Sequence, residues 1–120
     1  QIILFREEHS PRTLVNKVDF ISAPGFSDEN IYRPGGPKFL LTNRALFKFN
    51  KQKKRFCLIK IHNNESLENV VKLTGFKFDV DDKMTNMSIP NENRINILRS
   101  KISYMVSEFY PEFADRIWGV

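Results

Sequence analysis

The sequence predicts an α/β fold, and three observations lead to that class. Short apolar segments with strand-like composition recur along the 120 residues. Two of these segments flank a short polar turn, and segments with helical apolar spacing lie between and after the strands. Hydrophobic residues make up 41% and charged residues 28%, a globular balance that excludes a disordered chain. The length allows one domain or part of one, and no apolar run approaches the ~20 residues of a membrane span.

The N-terminal third predicts two short strands separated by loops. An apolar run, Ile2–Phe5, lies directly at the N-terminus, and the first methionine is Met84. We therefore expect a piece of a longer chain. Polar residues 6–12 predict a loop in which His9 is exposed. Alternation over Val18–Ile21 predicts a second strand that ends at the turn 22–25, and the breaker cluster 34–37 predicts a loop before the next strand.

The segment Lys38–Ile61 predicts a β-hairpin. Residues 39–42 and 45–49 have strand composition, and residues 56–61 form a second apolar run. Between them, residues 50–54 have the polar composition of a turn. This hairpin is the strongest structural signal in the chain.

The remaining segments predict two helices and a short strand. Asn64 and Ser66 can cap a helix over residues 67–73, and Gly75 is a natural C′ stop. Residues 76–80 alternate as a strand, and residues 81–90 form a loop. A second helix is expected near Asn91, on an apolar stripe made by Ile95, Leu98, Ile102, Met105 and Phe109. Pro111 interrupts this helix, and residues 113–118 predict a last helical turn.

Residue chemistry alone shows no catalytic constellation. His62 follows the hairpin, where a structural role in the turn is favoured over catalysis, and Cys57 is expected to be a small buried hydrophobe.

The acidic residues 79–82 lack the glycine and terminal glutamate of a calcium loop, so no metal site is predicted. Gly35 and Gly36 precede proline and a strand, which favours a tight loop over a phosphate cradle. Phenylalanines in the strand-like segments are expected in the core, although an exposed stacking platform would bind bases.

The net charge of +5 and a pI near 9.5 raise the alternative of a basic interaction or nucleic-acid module. The cations cluster around the hairpin turn, at Lys48, Lys51, Lys53, Lys54, Arg55 and Lys60. A charged hairpin tip usually faces water, and a basic patch alone specifies only attraction to phosphate. We therefore do not favour nucleic acid as a partner.

An ordered series of motifs matches the pattern of one known enzyme family. Residues 12–26 resemble that family's Arg-x-Φ-Val-x-Lys-Val-Asp-Φ-x-Thr/Ser-Ser-Pro-Gly-Tyr stretch. Further along, residues 35–37 resemble Gly-Gly-Pro, residues 41–49 resemble Val-Thr-Asn-x-Ala-Val-Phe-x-Phe, and residues 54–58 resemble Lys-Arg-Φ-x-Leu. Residues 62–66 stand where the family has His-Pro-Gly-Val-Thr, and residues 70–76 match Val-x-x-x-Thr-Gly-Phe. Over about residues 11–97 the chain thus resembles the B subunits of class I coenzyme A-transferases of the glutaconate type.

The resemblance implies the C-terminal half of such a subunit. The expected fold is part of an open, mostly parallel α/β sheet with a hairpin and a C-terminal helix. Residues 1–120 would form a single partial domain, in which residues 103–120 are a helical tail specific to this protein. Expected partners are an A subunit and the N-terminal half of the B subunit, in the cytoplasm and without a membrane. Coenzyme A would be a substrate, and no cofactor would be bound permanently.

The resemblance also implies that this chain contains no catalytic residue. The family's nucleophile is a glutamate in a Ser-Glu-Asn-Gly-type stretch, which passes CoA to a free carboxylic acid through a glutamyl-CoA intermediate. Glu29-Asn30, Glu68-Asn69 and Glu92-Asn93 lack the following glycine and are interpreted as decoys. For substrate binding we name Ser22, Ala23, Pro24 and Gly25, since loops at the ends of parallel strands carry ligand sites. An alternative keeps the fold and hydrolyses a carbon–carbon bond in a cyclic acyl-CoA.

Overall fold

The computed structural model describes residues 1–120, which divide into two compact units, residues 1–87 and residues 88–120. The first unit contains a five-stranded sheet and one helix. Its elements are β1 (Ile2–Arg6), β2 (Pro37–Thr42), β3 (Ala45–Asn50), β4 (Arg55–Ile61), α1 (Leu67–Leu73) and β5 (Asp79–Asn86). The predicted α/β class and the predicted hairpin, β3–β4, are confirmed.

The strands lie in the sheet in chain order, with β1 and β5 as the two outermost strands. The outer pairs β1–β2 and β4–β5 are parallel, whereas β3 is antiparallel to both of its neighbours. Four of the five strands therefore run in one direction, and β3 alone runs against them. The carboxyl ends of β1, β2, β4 and β5 consequently meet at one edge of the sheet, which we call the carboxyl edge.

The core of the first unit is built around the fully buried ring of Phe47 on β3. Phe78 contacts this ring edge-on with a centroid separation of 5.2 Å, and Phe76 lies 6.1 Å from it. Leu58 on β4 and Val70 on α1 are also fully buried in this cluster. Burial of such apolar side chains stabilises the fold by roughly 1.5–3 kcal/mol each. The expectation that strand phenylalanines form the core is confirmed most fully at Phe47.

Two strand assignments from the sequence are wrong. Residues 18–21 form no strand, and Phe20 and Ile21 are 82% and 65% exposed. Their alternation gives no burial because no neighbouring strand pairs with this segment. Conversely, the last strand covers Asp79–Asn86 instead of residues 76–80, so most of the predicted loop 81–90 is strand. Parallel pairing with β4 produces this strand, whose charged side chains are typical of a sheet edge.

The capping prediction for α1 is confirmed at Ser66, whose Oγ accepts the Asn69 amide at 3.1 Å. Gly75 follows the C-cap Thr74 and stands at C′, as predicted, but it does not have the positive φ that glycine usually adopts there. Its amide donates to the Leu14 carbonyl at 2.7 Å, and an added Cβ would lie 2.3 Å from that oxygen. Glycine is needed here because the backbone of residues 14–15 packs directly against it.

The second unit is helical throughout. It contains α2 (Glu92–Ile97), a π-helical turn (Leu98–Ile102), α3 (Ser103–Ser107) and α4 (Pro111–Trp118). Asn91 caps α2 by accepting the Arg94 amide at 3.0 Å, as predicted. Pro111 starts α4 at a position where its missing N–H costs nothing, and Gly119 ends α4 with φ +70°. None of the helices in the chain has the length and apolar character needed to cross a membrane.

Candidate functional site

Polar side chains from five positions gather at the carboxyl edge. His9 follows β1, Thr42 ends β2, and Arg44 lies in the tight turn between β2 and β3. Glu65 lies between β4 and α1, and Thr74 is the C-cap of α1. We call these five residues the carboxyl-edge junction. Ligands of open α/β sheets usually bind at this edge, which makes the junction the first candidate for a site.

The prediction that His9 is exposed is wrong, because its side chain is only 3% exposed. Its Nδ1 lies 2.8 Å from the Thr42 hydroxyl, and its Nε2 lies 2.8 Å from the Thr74 hydroxyl. The ring also packs 6.1 Å from the Phe47 ring. Burial results because the loop after β1 turns inward between the end of β2 and the end of α1. His9 therefore joins three elements that are far apart in the sequence.

The hydrogen bonds around His9 select the neutral tautomer protonated on Nε2. The Thr74 hydroxyl donates to the Val70 carbonyl at 2.7 Å, so its oxygen accepts from Nε2–H. The Thr42 oxygen accepts the amides of Arg44 and Ala45 at 3.2 and 3.0 Å. Its proton is then donated to Nδ1 at 2.8 Å, which is closer than the Ala45 carbonyl at 3.2 Å. With both ring nitrogens occupied, His9 has no free acceptor for a substrate proton.

Electrostatics at the junction agree with a neutral imidazole. Burial lowers the pKa of His9, the charge of Arg44 lowers it further, and Glu65 opposes both effects. Arg44 forms an ion pair with Glu65, whose other carboxylate oxygen accepts the Asn69 amide group at 2.6 Å. The hydrogen bond from Asn69, followed by that from Arg44, holds the pKa of Glu65 below its ordinary value. Apart from the buried Nε of Arg44, the buried side-chain polar atoms of the junction have hydrogen-bond partners, so the junction is a structural network and not a catalytic triad.

His62 follows the carboxyl end of β4, and Cys57 lies within that strand. His62 is exposed, its amide donates to the Arg44 carbonyl at 2.9 Å, and its carbonyl accepts the Glu65 amide at 3.0 Å. The predicted role of His62 in a turn is thus confirmed. Cys57 is half-buried instead of fully buried. Burial raises the pKa of its thiol, and the charges of Asp81 and Asp79 raise it further, so the thiolate is disfavoured.

Of the four residues named for substrate binding, Gly25 lies at the opposite edge of the sheet. Ser22, Ala23, Pro24 and Gly25 are all exposed, and Gly25 packs beside Pro37 at the amino end of β2. Gly25 therefore lies at an amino end of the parallel strands, whereas ligands of open α/β sheets usually bind at the carboxyl ends. Gly25 lines a cavity of about 190 Å³ between the loop 25–35 and the hairpin turn, and we call this cavity the amino-edge cleft. The Pro24 carbonyl anchors Arg33 at 2.7 Å, whereas Ser22 and Ala23 do not line the cleft.

Three cations and one carboxylate line the amino-edge cleft. Lys51 donates from Nζ to the carbonyls of Pro34 and Gly35, both at 3.1 Å. Lys54 lies 5.3 Å from the centre of the Phe26 ring. Arg33 is the third cation, and Glu29, the first of the three decoy glutamates, supplies the carboxylate. The cleft therefore has an excess of positive charge and suits an anionic ligand.

A pair of aromatic rings gives the cleft a flat apolar wall. Phe26 stacks on Phe49 with a centroid separation of 6.0 Å and an interplanar angle of 24°. Both rings of the stack and the cation of Lys54 line the same cavity. This combination suits a ligand that carries both a planar group and negative charge. No group of three or more His, Cys, Asp or Glu side chains is placed to hold a metal ion.

Other basic residues of the hairpin turn are engaged within the chain. Lys53 and Arg55 both contact the Asp79 carboxylate, at 3.2 and 3.1 Å, and together they lower its pKa. These contacts tie the turn to β5. A patch whose cations already have intramolecular partners presents less charge to a nucleic acid than the sequence suggests.

Sequence reasoning missed most of the carboxyl-edge junction. Position along the chain was the one available signal. Thr42 comes directly at the end of an apolar strand-like run, and His9 follows another such run within a few residues. Arg44 and Glu65 are 21 residues apart, and no local pattern connects them. Their proximity depends on β2 and β4 ending at the same edge of the sheet.

Comparisons with known proteins place the chain in a family. No protein-family model matches it. The B subunit of glutaconate CoA-transferase from Acidaminococcus fermentans is 31% identical over 102 residues, which cover 79% of this chain and 38% of that protein. The crystal structure of glutaconate coenzyme A-transferase from the same organism matches with a TM-score of 0.67 and 25% identity, over 82% of this chain and 40% of that chain.

Two further solved structures share the fold. IpdAB of Rhodococcus jostii RHA1 matches with a TM-score of 0.73 and 19% identity, over 82% of this chain and 41% of that one. The decarboxylase AibA/AibB matches with a TM-score of 0.63 and 22% identity, over 81% and 36%. The chain thus spans about two fifths of the length of the relatives that it matches, and the α/β sheet is of the CoA-transferase type. Sequence and fold together show that the chain belongs with the glutaconate-type B subunits of the class I coenzyme A-transferases and matches a part of one.

Proposed function

We propose that the chain is the C-terminal half of a CoA-transferase B subunit. The whole enzyme would move coenzyme A between an acyl-CoA and a free carboxylic acid, through a glutamyl-CoA intermediate whose glutamate lies outside these 120 residues. The observation that carries the proposal is the 31% identity to the B subunit of glutaconate CoA-transferase over 79% of the chain. By itself the chain would be inactive, because its one buried histidine network has no free acid or base.

Exposed apolar surface supports packing against further protein. Ile3 and Phe5 on the edge strand β1 are 64% and 60% exposed, and one backbone edge of β1 has no strand beside it. Phe20 and Tyr32 are also largely exposed, in the connection from β1 to β2. Exposed large apolar side chains together with an unpaired edge strand are typical of interfaces. The partners we propose are the N-terminal half of the B subunit and an A subunit, in the cytoplasm.

The amino-edge cleft is the part of the chain that we assign to substrate. Coenzyme A is anionic and carries a planar adenine, and the cleft offers Arg33, Lys51 and Lys54 beside the Phe26–Phe49 stack. Ser22, Ala23, Pro24 and Gly25 would shape the approach to this cleft. Coenzyme A would enter as a substrate and leave with each turnover, so no cofactor would be bound permanently.

The test is an assay of CoA exchange on the intact assembly that contains this chain. Acyl-CoA is supplied with a panel of free carboxylic acids, and a glutamate that becomes labelled in the presence of CoA is located by mass spectrometry. Exchange with at least one acid and labelling of a glutamate outside this chain are expected. Lys54→Ala should raise KM for acyl-CoA, whereas Lys72→Ala, a control on the exposed face of α1, should not. No exchange with any acid and no labelled glutamate would exclude a transferase.

A hydrolase of a cyclic acyl-CoA is the alternative that the fold leaves open. The fold is shared with a decarboxylase, so the fold alone does not select the reaction. The same assembly, given a cyclic acyl-CoA without a free acid, would then open the ring and take up water.

The nucleic-acid alternative is tested by binding to mixed oligonucleotides at low salt. Absence of binding there would remove it, as the Lys53 and Arg55 contacts to Asp79 lead us to expect.

A further inference from the structure

The feature that the proposed function does not use is the buried imidazole of His9. It connects the loop after β1 to the end of β2 through Thr42 and to the end of α1 through Thr74. The adjacent loop and helix end are also joined by one backbone bond, from the Gly75 amide to the Leu14 carbonyl at 2.7 Å. The loop is also anchored by the buried side chain of Leu14, and His9 adds a titratable contact to the ends of β2 and α1.

We propose that His9 is an acid-sensitive latch, which holds the loop 9–15 and the end of α1 closed when the imidazole is neutral and releases them when it takes up a proton. The geometry carries the proposal. A second ring proton on Nδ1 would point at the Thr42 oxygen, which already accepts the amides of Arg44 and Ala45. Protonated His9 keeps the bond from Nε2–H to the Thr74 hydroxyl, but its Nδ1–H faces an oxygen that already accepts two amides, so one donor of the buried cation has no good acceptor.

The charged groups around His9 act in opposite directions. Arg44, in the turn between β2 and β3, disfavours a second positive charge, and Glu65, before α1, favours it. Glu65 is already paired with Arg44 and accepts from Asn69, so its charge is largely compensated. Desolvation is the largest effect, and it favours the neutral ring. The remaining neighbours are the apolar ring of Phe47 and the two threonine hydroxyls, which do not titrate.

The direction of the pH response follows from linkage. In the open state His9 is in water and binds a proton near its ordinary pKa of 6.5, whereas in the closed state its pKa is lower. The open state binds more protons in the range below about pH 6.5, so closure weakens as the pH falls. For one proton, the opening constant rises by at most about tenfold per pH unit until the closed form also titrates.

Hydrogen exchange measured by mass spectrometry on the intact protein, with any subunits that copurify, tests the latch. Exchange in a peptide containing Gly75 is followed from pH 7.5 to 5.0 and corrected for the intrinsic rate. The corrected opening constant should rise by up to about tenfold per unit below about pH 6.5, while a peptide around Leu58 in β4 should not change. His62→Gln removes the only other histidine and should keep the response. His9→Gln should abolish it.

Two results would overturn the latch. One is a flat response at Gly75 in the unmodified protein and in His62→Gln, and the other is an unchanged response in His9→Gln. If His9→Gln does not fold, the protonation state of His9 is measured by NMR instead. The variant His62→Gln is used, because His9 is then the single histidine and gives the only imidazole resonances. A neutral ring protonated on Nε2 that persists below pH 6.5 supports the latch. Titration of His9 at or above pH 6.5 in the folded protein refutes it.

Discussion

Gly75 offers the sharpest test of how the loop 14–15 packs on the end of α1, through the substitution Gly75→Ala. The added Cβ would lie 2.3 Å from the Leu14 carbonyl oxygen and 3.2 Å from the Val15 Cα, both of which are backbone atoms. No side-chain rotation relieves such a contact, so the loop must move away from the helix end. Overpacking of this kind costs about 1–3 kcal/mol, and losing the Gly75–Leu14 hydrogen bond costs about 1 kcal/mol more.

A smaller effect opposes this loss. Replacing glycine by alanine reduces the freedom of the unfolded chain and stabilises by about 0.4–1 kcal/mol where the native backbone accepts alanine. The net expectation is a destabilisation of about 2–3 kcal/mol, which lowers Tm by about 8–15 °C in a chain of this size. Thermal and urea unfolding followed by far-ultraviolet circular dichroism measure both quantities.

Gly35→Ala is the matched control. Its added Cβ meets no atom within 4 Å, and its φ is not positive, so a change between zero and about 1 kcal/mol of stabilisation is expected. If Gly75→Ala unfolds within about 0.5 kcal/mol of the unmodified protein, the close approach of residues 14–15 to the end of α1 is wrong. The account of why glycine stands there then fails with it.

Three further outcomes follow from the same structure. Phe47→Ala removes a fully buried ring and should destabilise by about 3–5 kcal/mol in urea unfolding, and a loss below about 1 kcal/mol would contradict its central place in the core. Ser66→Ala should cost about 1 kcal/mol by freeing the Asn69 amide, whereas Ser66→Asp should be close to neutral because aspartate also caps. The pKa of Glu65 is lowered in the fold, so its contribution is complete above about pH 4.5 and is lost as the pH falls through the lower folded value. Glu65→Gln should therefore be less stable at pH 7 and lose less stability between pH 6 and 3, and an unchanged acid profile would refute the pairing with Arg44.

Local chemistry explains why some elements were predictable from the sequence. Ser66 and Asn91 begin helices because their own side chains accept the amide three residues ahead, and this needs no information from elsewhere in the chain. The hairpin β3–β4 likewise follows from two apolar runs and the polar turn between them. Such elements depend on residues a few positions apart, which is the range over which a sequence pattern is informative.

The failures depend on distant residues. The segment 18–21 alternates like a strand but has no neighbour to pair with, whereas the polar segment 79–86 becomes a strand because β4 lies beside it. His9 is buried by Thr42 and Thr74, which are 33 and 65 residues away. The position of Gly25 beside Pro37 likewise depends on how the long connection from β1 returns to the start of β2.

The carboxyl edge and the amino edge of the sheet differ in how far their polar groups are already paired within the chain. At the carboxyl edge the His9 ring nitrogens, the two threonine hydroxyls and the Glu65 carboxylate all have partners within the chain, whereas the buried Nε of Arg44 has none. At the amino edge Lys54 lines an open cavity beside an aromatic stack, whereas the other lysine of that cavity, Lys51, already donates to two backbone carbonyls. A ligand gains more from groups that still face water than from groups already paired. We therefore expect substitutions in the amino-edge cleft to alter KM for an acyl-CoA, and substitutions in the junction to alter stability and its pH dependence without altering KM.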